Sequence, residues 1–280
     1  MHKKYTMKEY KEVIKEKYTE IARLADQIKP EVCCGGGTCS STALLLNKDK
    51  KNEDLDKAIS LNAFKGNPIL YTEIKPQDTV VDLGSGLGFD CFVARKKVGE
   101  TGLVIGIDFT EAMIAASNKK CDEHGFQNVQ FRLGDIENMP IAAHKADVVI
   151  SDGAFRMLTD KKRGISELFR ILKSQGHFCI SDIFWKGSFT EAAILASDQY
   201  IGNMKHSIPI DLFISLLQMQ GFTNIQILKE EEVVMSDELL LDFMSESELV
   251  AFNKSRSGAF LITIAGEKPD CGQCDTCTCM

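Results

Sequence analysis

A chain of 280 residues, 44% hydrophobic and 26% charged, has room for one sizeable α/β domain with additions at its ends and is too apolar to be disordered throughout. Its net charge of −7 argues against the broad basic surface that neutralises nucleic-acid phosphates and favours a small molecule or metalloid as partner. No apolar run reaches the length of a bilayer span and the polar start lacks a secretory pattern, so no membrane association is expected and a cytoplasmic location is.

Tyr10, Ile14, Tyr18, Ile21 and Ala25 recur at spacings of three or four, so residues 8–27 read as an amphipathic helix that Pro30 stops. The stretch 33–42 is glycine, serine and cysteine without a period and reads as a loop. From residue 79 strand and helix alternate. Strands are predicted over 79–83, 103–107, 129–133, 146–151 and 177–182, and helices over 89–97, 111–125 and 161–172. Helices of this length between strands imply parallel pairing through right-handed crossovers, a doubly wound sheet. Helices over 190–198 and 209–220 follow, and then strands over 224–229 and 259–265 enclosing a single helix over 237–252. After Pro269 the tail has no apolar period. The expected organisation is an N-terminal helix with a Cys/Gly loop (1–60), a ligand-binding core (61–183), a helical insertion with the last strands (184–268) and a cysteine-rich tail (269–280).

The chemistry concentrates in Asp82-Leu83-Gly84-Ser85-Gly86-Leu87-Gly88, directly after a strand and before a helix, at the edge of the sheet where α/β folds bind ligands. The spacing is G-x-G-x-G, unlike the dinucleotide fingerprint G-x-G-x-x-G. A carboxylate at Asp82 repels a pyrophosphate but attracts an ammonium group, which S-adenosylmethionine carries and a phosphate does not. Asp108, with Phe109 after it, ends the second strand, where a carboxylate accepts hydrogen bonds from ribose hydroxyls. Gly134-Asp135-Ile136 follows the third strand, and Asp135 is placed to accept from the adenine amino group; Ser151 ends the fourth strand beside the same edge. Any one of these carboxylates alone is more often a helix cap or a solvated turn residue, whereas together with the glycine loop after successive strands they point to S-adenosylmethionine as cofactor.

The same segments resemble the class I methyltransferases, whose Rossmann-like, mostly parallel seven-stranded sheet ends in an antiparallel hairpin strand. Glu167-Leu168-Phe169-Arg170-Ile171-Leu172-Lys173-Ser174-Gln175-Gly176 is similar to their helix-turn-strand signature. More closely, Gly88-Phe89-Asp90-Cys91-Phe92, residues 98–108, residues 131–137 and Cys33-Cys34-Gly35-Gly36-Gly37 resemble the arsenite methyltransferases, a likeness running from about Tyr18 to Pro269. The resemblance implies that Tyr18 walls the cofactor pocket, although an aromatic on a buried helix face reads the same way, and that Asp152 faces the reactive methyl, although a turn residue before Gly153 does too. It also implies an acceptor held by three core thiolates. This chain has Lys65, Gly153 and Asn203 at or near those positions.

Ten cysteines in a reducing compartment read as thiols or ion ligands. Cys271, Cys274, Cys277 and Cys279 are spaced closely enough to wrap one soft metal or metalloid ion, or form a tail whose thiols pair only on oxidation. Cys33, Cys34 and Cys39, flanked by glycine, form either a second soft-ion loop or a linker. The expected activity is methyl transfer from S-adenosylmethionine to a thiol-bound metalloid or other soft nucleophile. The alternatives are a small organic acceptor oriented by Asp152 or His206, and an ion-binding or sensing protein on the same fold.

Overall fold

The computed structural model describes residues 6–27, 66–187, 189–255 and 257–270. Lys65, Cys33, Cys34, Cys39, Cys271, Cys274, Cys277 and Cys279 lie outside the described residues. Seven strands form one sheet: β1 (Thr79–Leu83), β2 (Leu103–Asp108), β3 (Val129–Leu133), β4 (Ala146–Asp152), β5 (Leu172–Lys186), β6 (Thr223–Glu232) and β7 (Gly258–Glu267), in the order β3-β2-β1-β4-β5-β7-β6. β1 to β5 pair in parallel, and β7 runs antiparallel to both β5 and β6, which makes the sheet mostly parallel with one reversed strand, as anticipated.

Side chains alternate across the strands, so the sheet carries a core on each face. Val80, Val104, Val148 and Ile150 pack with Ala94 and Val98 of α2 (Phe89–Val98) and Cys121 of α3 (Glu111–His124). Val81, Leu83, Ile105, Ile107 and Val149 pack with Ile165 and Leu168 of α4 (Lys161–Ile171) and Phe213 and Leu217 of α6 (Ile210–Gln220). The strand order reverses between β1 and β4, because β1 continues to β2 on one side while β4 continues to β5 on the other. That crevice at the carboxyl ends is the ligand position of open α/β sheets.

Two expectations are corrected. The fifth strand is longer than 177–182, running from Leu172 to Lys186, because β4 pairs with it at Ala146↔Leu172 and β7 from His177↔Glu267 to Lys186↔Gly258. The single helix over 237–252 is two, α7 (Asp237–Leu241) and α8 (Glu246–Ser255). Ser245 breaks it with a capping box: Glu248 N–H donates to Ser245 Oγ at 3.4 Å, and Ser245 N–H donates back to Glu248 Oε2 at 2.8 Å. Together with α5 (Glu191–Tyr200), these helices build an apolar cap from Ala193, Ala196, Leu240, Met244 and Leu249.

The N-terminal helix α1 (Met7–Gln27) starts with its own capping box, Thr6 N–H to Glu9 Oε2 at 2.7 Å and Glu9 N–H to Thr6 Oγ1 at 3.3 Å. Its 21 residues span about 30 Å. Of the periodic residues Tyr10, Ile14 and Ile21 are buried and Tyr18 is half-buried; Ala22 is buried beside them. Ile21 and Ala22 close over Met113 at the start of α3, with Tyr18 and Leu87 of the glycine loop packed beside them. No described helix is long and apolar enough to cross a membrane.

Candidate active site

The glycine loop leaves β1 through two amide bonds to one carbonyl, Gly84 N–H and Ser85 N–H to Ile107 O at 2.8 and 2.9 Å, and Gly88 N–H closes it onto Ser85 O at 2.8 Å. Gly84, Gly86 and Gly88 all have positive φ, at 73°, 51° and 80°. Their surroundings differ. A Cβ on Gly84 would meet Ala154 Cβ at 2.6 Å and one on Gly88 would meet Phe131 Cζ at 2.4 Å, whereas one on Gly86 would meet nothing within 4 Å. Gly84 and Gly88 are therefore glycine for close packing, and Gly86 is the one whose backbone borders open space.

Asp108 ties this loop to β2. Its Oδ2 accepts from Gly86 N–H at 3.0 Å and its Oδ1 from Thr110 N–H at 2.8 Å, which fixes the carboxylate beside the loop. Burial pushes its pKa up, against the opposing pull of these hydrogen bonds. Asp82, 3% exposed, accepts from the Cys91 thiol of α2 at 3.3 Å. Asp135 accepts from Glu137 N–H at 2.9 Å and from Lys11 Nζ of α1 at 2.6 Å. The same ammonium reaches Glu137 at 2.8 Å, and Glu137 also accepts from Thr159 and Asp160 N–H. Burial raises the pKa of Glu137, but the bond from Lys11 and those from Asp160 and Thr159 outweigh it and hold the carboxyl low. α1 is thus clasped across the mouth of the crevice, from Asp135 and Glu137 beyond β3 to His206 between α5 and α6, whose ring lies 4.1 Å from that of Tyr10.

Register sets Asp82 beside Gly106, Leu83 beside Ser151 and Asp152 beside Ser181, so the residues read from the sequence do gather at one edge. Some face elsewhere. Ser151, fully buried, donates its hydroxyl to Leu83 O at 2.9 Å and so staples β4 to β1, whereas the buried Ser85 Oγ, close to Gly106, has no hydrogen-bond partner among the described residues. Ile136 packs into the core, Gly134 abuts Pro140, and Phe109 is half-buried after Asp108. Asp152 accepts from the backbone N–H groups of Gly66 and Asn67 at 3.1 and 3.3 Å, which seats that segment on β4 and β5; a Cβ on Gly66 would stand 2.3 Å from Ser181 Cβ. Its visible work is positioning.

Sequence reasoning passed over a buried ion pair on this edge. Arg156 and Asp182, 5% and 0% exposed, pair at 3.0 Å, and Asp182 also accepts from the N–H groups of Arg156 and Ile183 at 2.8 and 2.7 Å. Asp182 ends the fifth predicted strand as Asp82 and Asp108 mark the ends of the first two, a pattern that could have revealed it. Near this pair Asn203 Nδ2 meets Met157 Sδ at 3.6 Å. Among the described residues no group of three His, Cys, Asp or Glu side chains could hold a metal ion. Cys91, Cys121 and Cys179 are buried free thiols, all with pKa raised chiefly by burial, Cys179 to about 12.

The edge fits S-adenosylmethionine. It offers open space along Gly86, a carboxylate at Asp108 fixed beside it, and no basic side chain in loop 82–88 to hold a pyrophosphate. The comparisons agree. A family model described as a methyltransferase domain matches residues 74–231, more than half of the chain. Arsenite methyltransferase from Halobacterium salinarum is 30% identical, the match covering 93% of this chain and 67% of that protein. The enzyme of the same description from Aquipseudomonas alcaligenes is 29% identical over 60% of this chain and 51% of its own length. The chain thus spans about two thirds and about half of these two relatives. An arsenic(III) S-adenosylmethionine methyltransferase from Chlamydomonas reinhardtii has the same fold at a TM-score of 0.58 and 26% identity, over 71% of this chain and 65% of that one. The chain therefore belongs to the class I S-adenosylmethionine methyltransferases, in their arsenite methyltransferase family.

Proposed function

We propose that this chain transfers a methyl group from S-adenosylmethionine to a small acceptor seated at the carboxyl ends of β4 and β5 beneath α1, and that thiol-bound trivalent arsenic is such an acceptor. The observation that carries the donor half is the open space along Gly86 beside the Asp108 carboxylate. Gly84 to Gly88 and Asp82 would hold the methionine end, Asp108 and Phe109 the ribose, and Asp135 and Ile136 the adenine. The bound cofactor supplies a methyl group on a sulfonium, open to in-line attack by a nucleophile with a free lone pair. An arsenic lone pair needs no general base, so the work left to the protein is orientation and exclusion of water. α1 supplies the exclusion through Lys11 and its buried face, and Asp152 fixes the Gly66–Asn67 segment. Because Cys91, Cys121 and Cys179 stay protonated in the core, thiolates for a soft centre come from Cys33, Cys34, Cys39, the four tail cysteines or a small thiol in solution.

A second reading, a small organic acceptor, is favoured by Arg156, whose guanidinium Nη1 stands 3.2 Å from the point a Cβ on Gly153 would occupy. Incubating protein and cofactor with arsenite and excess thiol, followed by mass spectrometry, separates the two. Methylated arsenic together with S-adenosylhomocysteine is expected; S-adenosylhomocysteine formed only from an arsenic-free metabolite mixture would establish the second reading.

A further inference from the structure

The three carboxylates along the edge are not held alike. Asp82 and Asp108 are buried, and packing with neighbouring bonds fixes them. The Asp135 side chain is 39% exposed, in the turn that follows β3. Its Oδ1 accepts from Glu137 N–H at 2.9 Å, a bond within that turn. Its Oδ2 accepts from Lys11 Nζ at 2.6 Å, a donor on α1 and 124 residues away. An exposed carboxylate that must be ordered when its ligand arrives loses rotamer freedom at that moment, so a brace that orders it beforehand raises affinity.

Lys11 can serve as that brace because its other contact is itself anchored. The ammonium also donates to Glu137 Oε2 at 2.8 Å. Glu137, 13% exposed, accepts in turn from Thr159 N–H at 2.7 Å, from the Thr159 hydroxyl at 2.9 Å and from Asp160 N–H at 3.0 Å, and its carbonyl accepts from Arg163 Nε at 3.0 Å. The contacts therefore run from the start of α4 through Glu137 and Lys11 to Asp135, and both links made by Lys11 join opposite charges. Burial works against the Lys11 charge, but the bonds to Asp135 and Glu137 outweigh it, so the ammonium persists. One turn further along α1, Lys15 pairs with the exposed Glu111 at 3.2 Å, which fastens α1 to α3 without involving Asp135.

We infer that Lys11 is a positioning residue for base recognition: it sets the Asp135 carboxylate in the orientation that accepts from the 6-amino group of the cofactor's adenine. The inference rests on the proposed function, which assigns Asp135 to the adenine. It makes discrimination between nucleobases a property of α1 as well as of the turn after β3.

The test compares two ligands that differ at that position: S-adenosylhomocysteine, whose 6-amino group donates, and S-inosylhomocysteine, whose 6-oxo group a fixed carboxylate repels. Each is titrated calorimetrically into the full-length parent, Lys11→Met, Lys11→Arg and Lys15→Met. The parent should prefer the adenosyl ligand at least tenfold. Lys11→Met should bind S-adenosylhomocysteine on the order of tenfold more weakly, the loss of one hydrogen bond to a charged group, while S-inosylhomocysteine is not weakened, so the preference collapses. Lys11→Arg, which keeps a cation between the two carboxylates, should restore the preference, and Lys15→Met should leave it at the parental value. In an Asp135→Ala background Lys11→Met should leave the preference unchanged, because the residue it acts through is gone. Weakening of both ligands by the same factor in Lys11→Met would show that Lys11 only fastens α1, and would overturn the inference, as would a preference that the substitution leaves intact. Equal binding of the two ligands to the parent would remove Asp135 from the adenine and the inference with it. Failure of S-adenosylhomocysteine itself to bind would overturn the proposed function instead.

Discussion

Substituting Gly86 by valine and Gly88 by alanine separates a glycine kept for a ligand from one kept for packing. Both have positive φ, so either substitution costs about 1–2 kcal/mol in the left-handed region. At Gly86 that is the whole folding cost, because a Cβ meets nothing within 4 Å; the expected fall in melting temperature is about 2–8 °C. The valine side chain then stands where the cofactor backbone contacts form. Losing one or two such polar contacts costs roughly 3 kcal/mol, on the order of 100-fold in Kd for S-adenosylhomocysteine. At Gly88 the added methyl would meet Phe131 Cζ at 2.4 Å, and Phe131 is itself held edge-on by Phe92 at 5.8 Å between centroids, so overpacking adds about 1–3 kcal/mol. Urea unfolding and calorimetric titration of both variants check the contrast. If Gly86→Val binds S-adenosylhomocysteine within threefold of the parent, the loop does not line the cofactor site and the reasoning fails.

The clasp on α1 predicts that Glu137→Gln, which removes the charge shared by Lys11, Thr159 and Asp160, costs about 1–3 kcal/mol and speeds tryptic cleavage within 8–23. Because the folded pKa of Glu137 lies below the ordinary 4.5, its contribution is complete above that value and is lost as pH falls through the folded value; α1 should become protease-sensitive in that window in the parent, and insensitivity to pH there would contradict the clasp. Asp182→Ala should destabilise by about 3–5 kcal/mol in urea unfolding, since it strands the Arg156 charge in the core; a loss below about 1 kcal/mol would show that water reaches the guanidinium. Lys161, whose pKa burial lowers to about 8, donates to Arg156 O and Leu158 O at 3.1 and 2.5 Å. Its charge is disfavoured in the fold, so the penalty is full below pH 8 and fades towards the unfolded value of 10.5. The parent should therefore gain about 3 kcal/mol relative to Lys161→Met as pH rises across that interval, and parallel stability curves would refute it.

Local signals made the parallel half of the sheet readable. β1 and β3 match their predicted spans, and the alternation of strand with helix is enough to put Asp82, Asp108 and Asp152 at one edge. What escaped depends on partners distant in sequence. Leu172 to Gly176 and Ile183 to Lys186 belong to β5 through the neighbours β4 and β7 supply, not through their own pattern. Lys11 finds Asp135 across 124 residues, and Asp152 is engaged by Gly66 across 86. Ser151 reads as a ligand group by position, and only its bond to the Leu83 carbonyl shows its hydroxyl turned into the protein, whereas the Ser85 hydroxyl keeps no partner among the described residues. The break at Ser245 was legible, since Ser-x-x-Glu announces a new helix, but the apolar residues on both sides of it read as one period.

Hydrogen–deuterium exchange of the full chain with and without saturating S-adenosylhomocysteine tests the placement of the cofactor most directly, because it reports on the loop and on α1 together. The account predicts protection concentrated in peptides covering 82–90, 106–112, 134–138 and 7–27, with the outer strand β6 unchanged. Tight binding without protection at 82–90, or protection confined to β6 and β7, would contradict it.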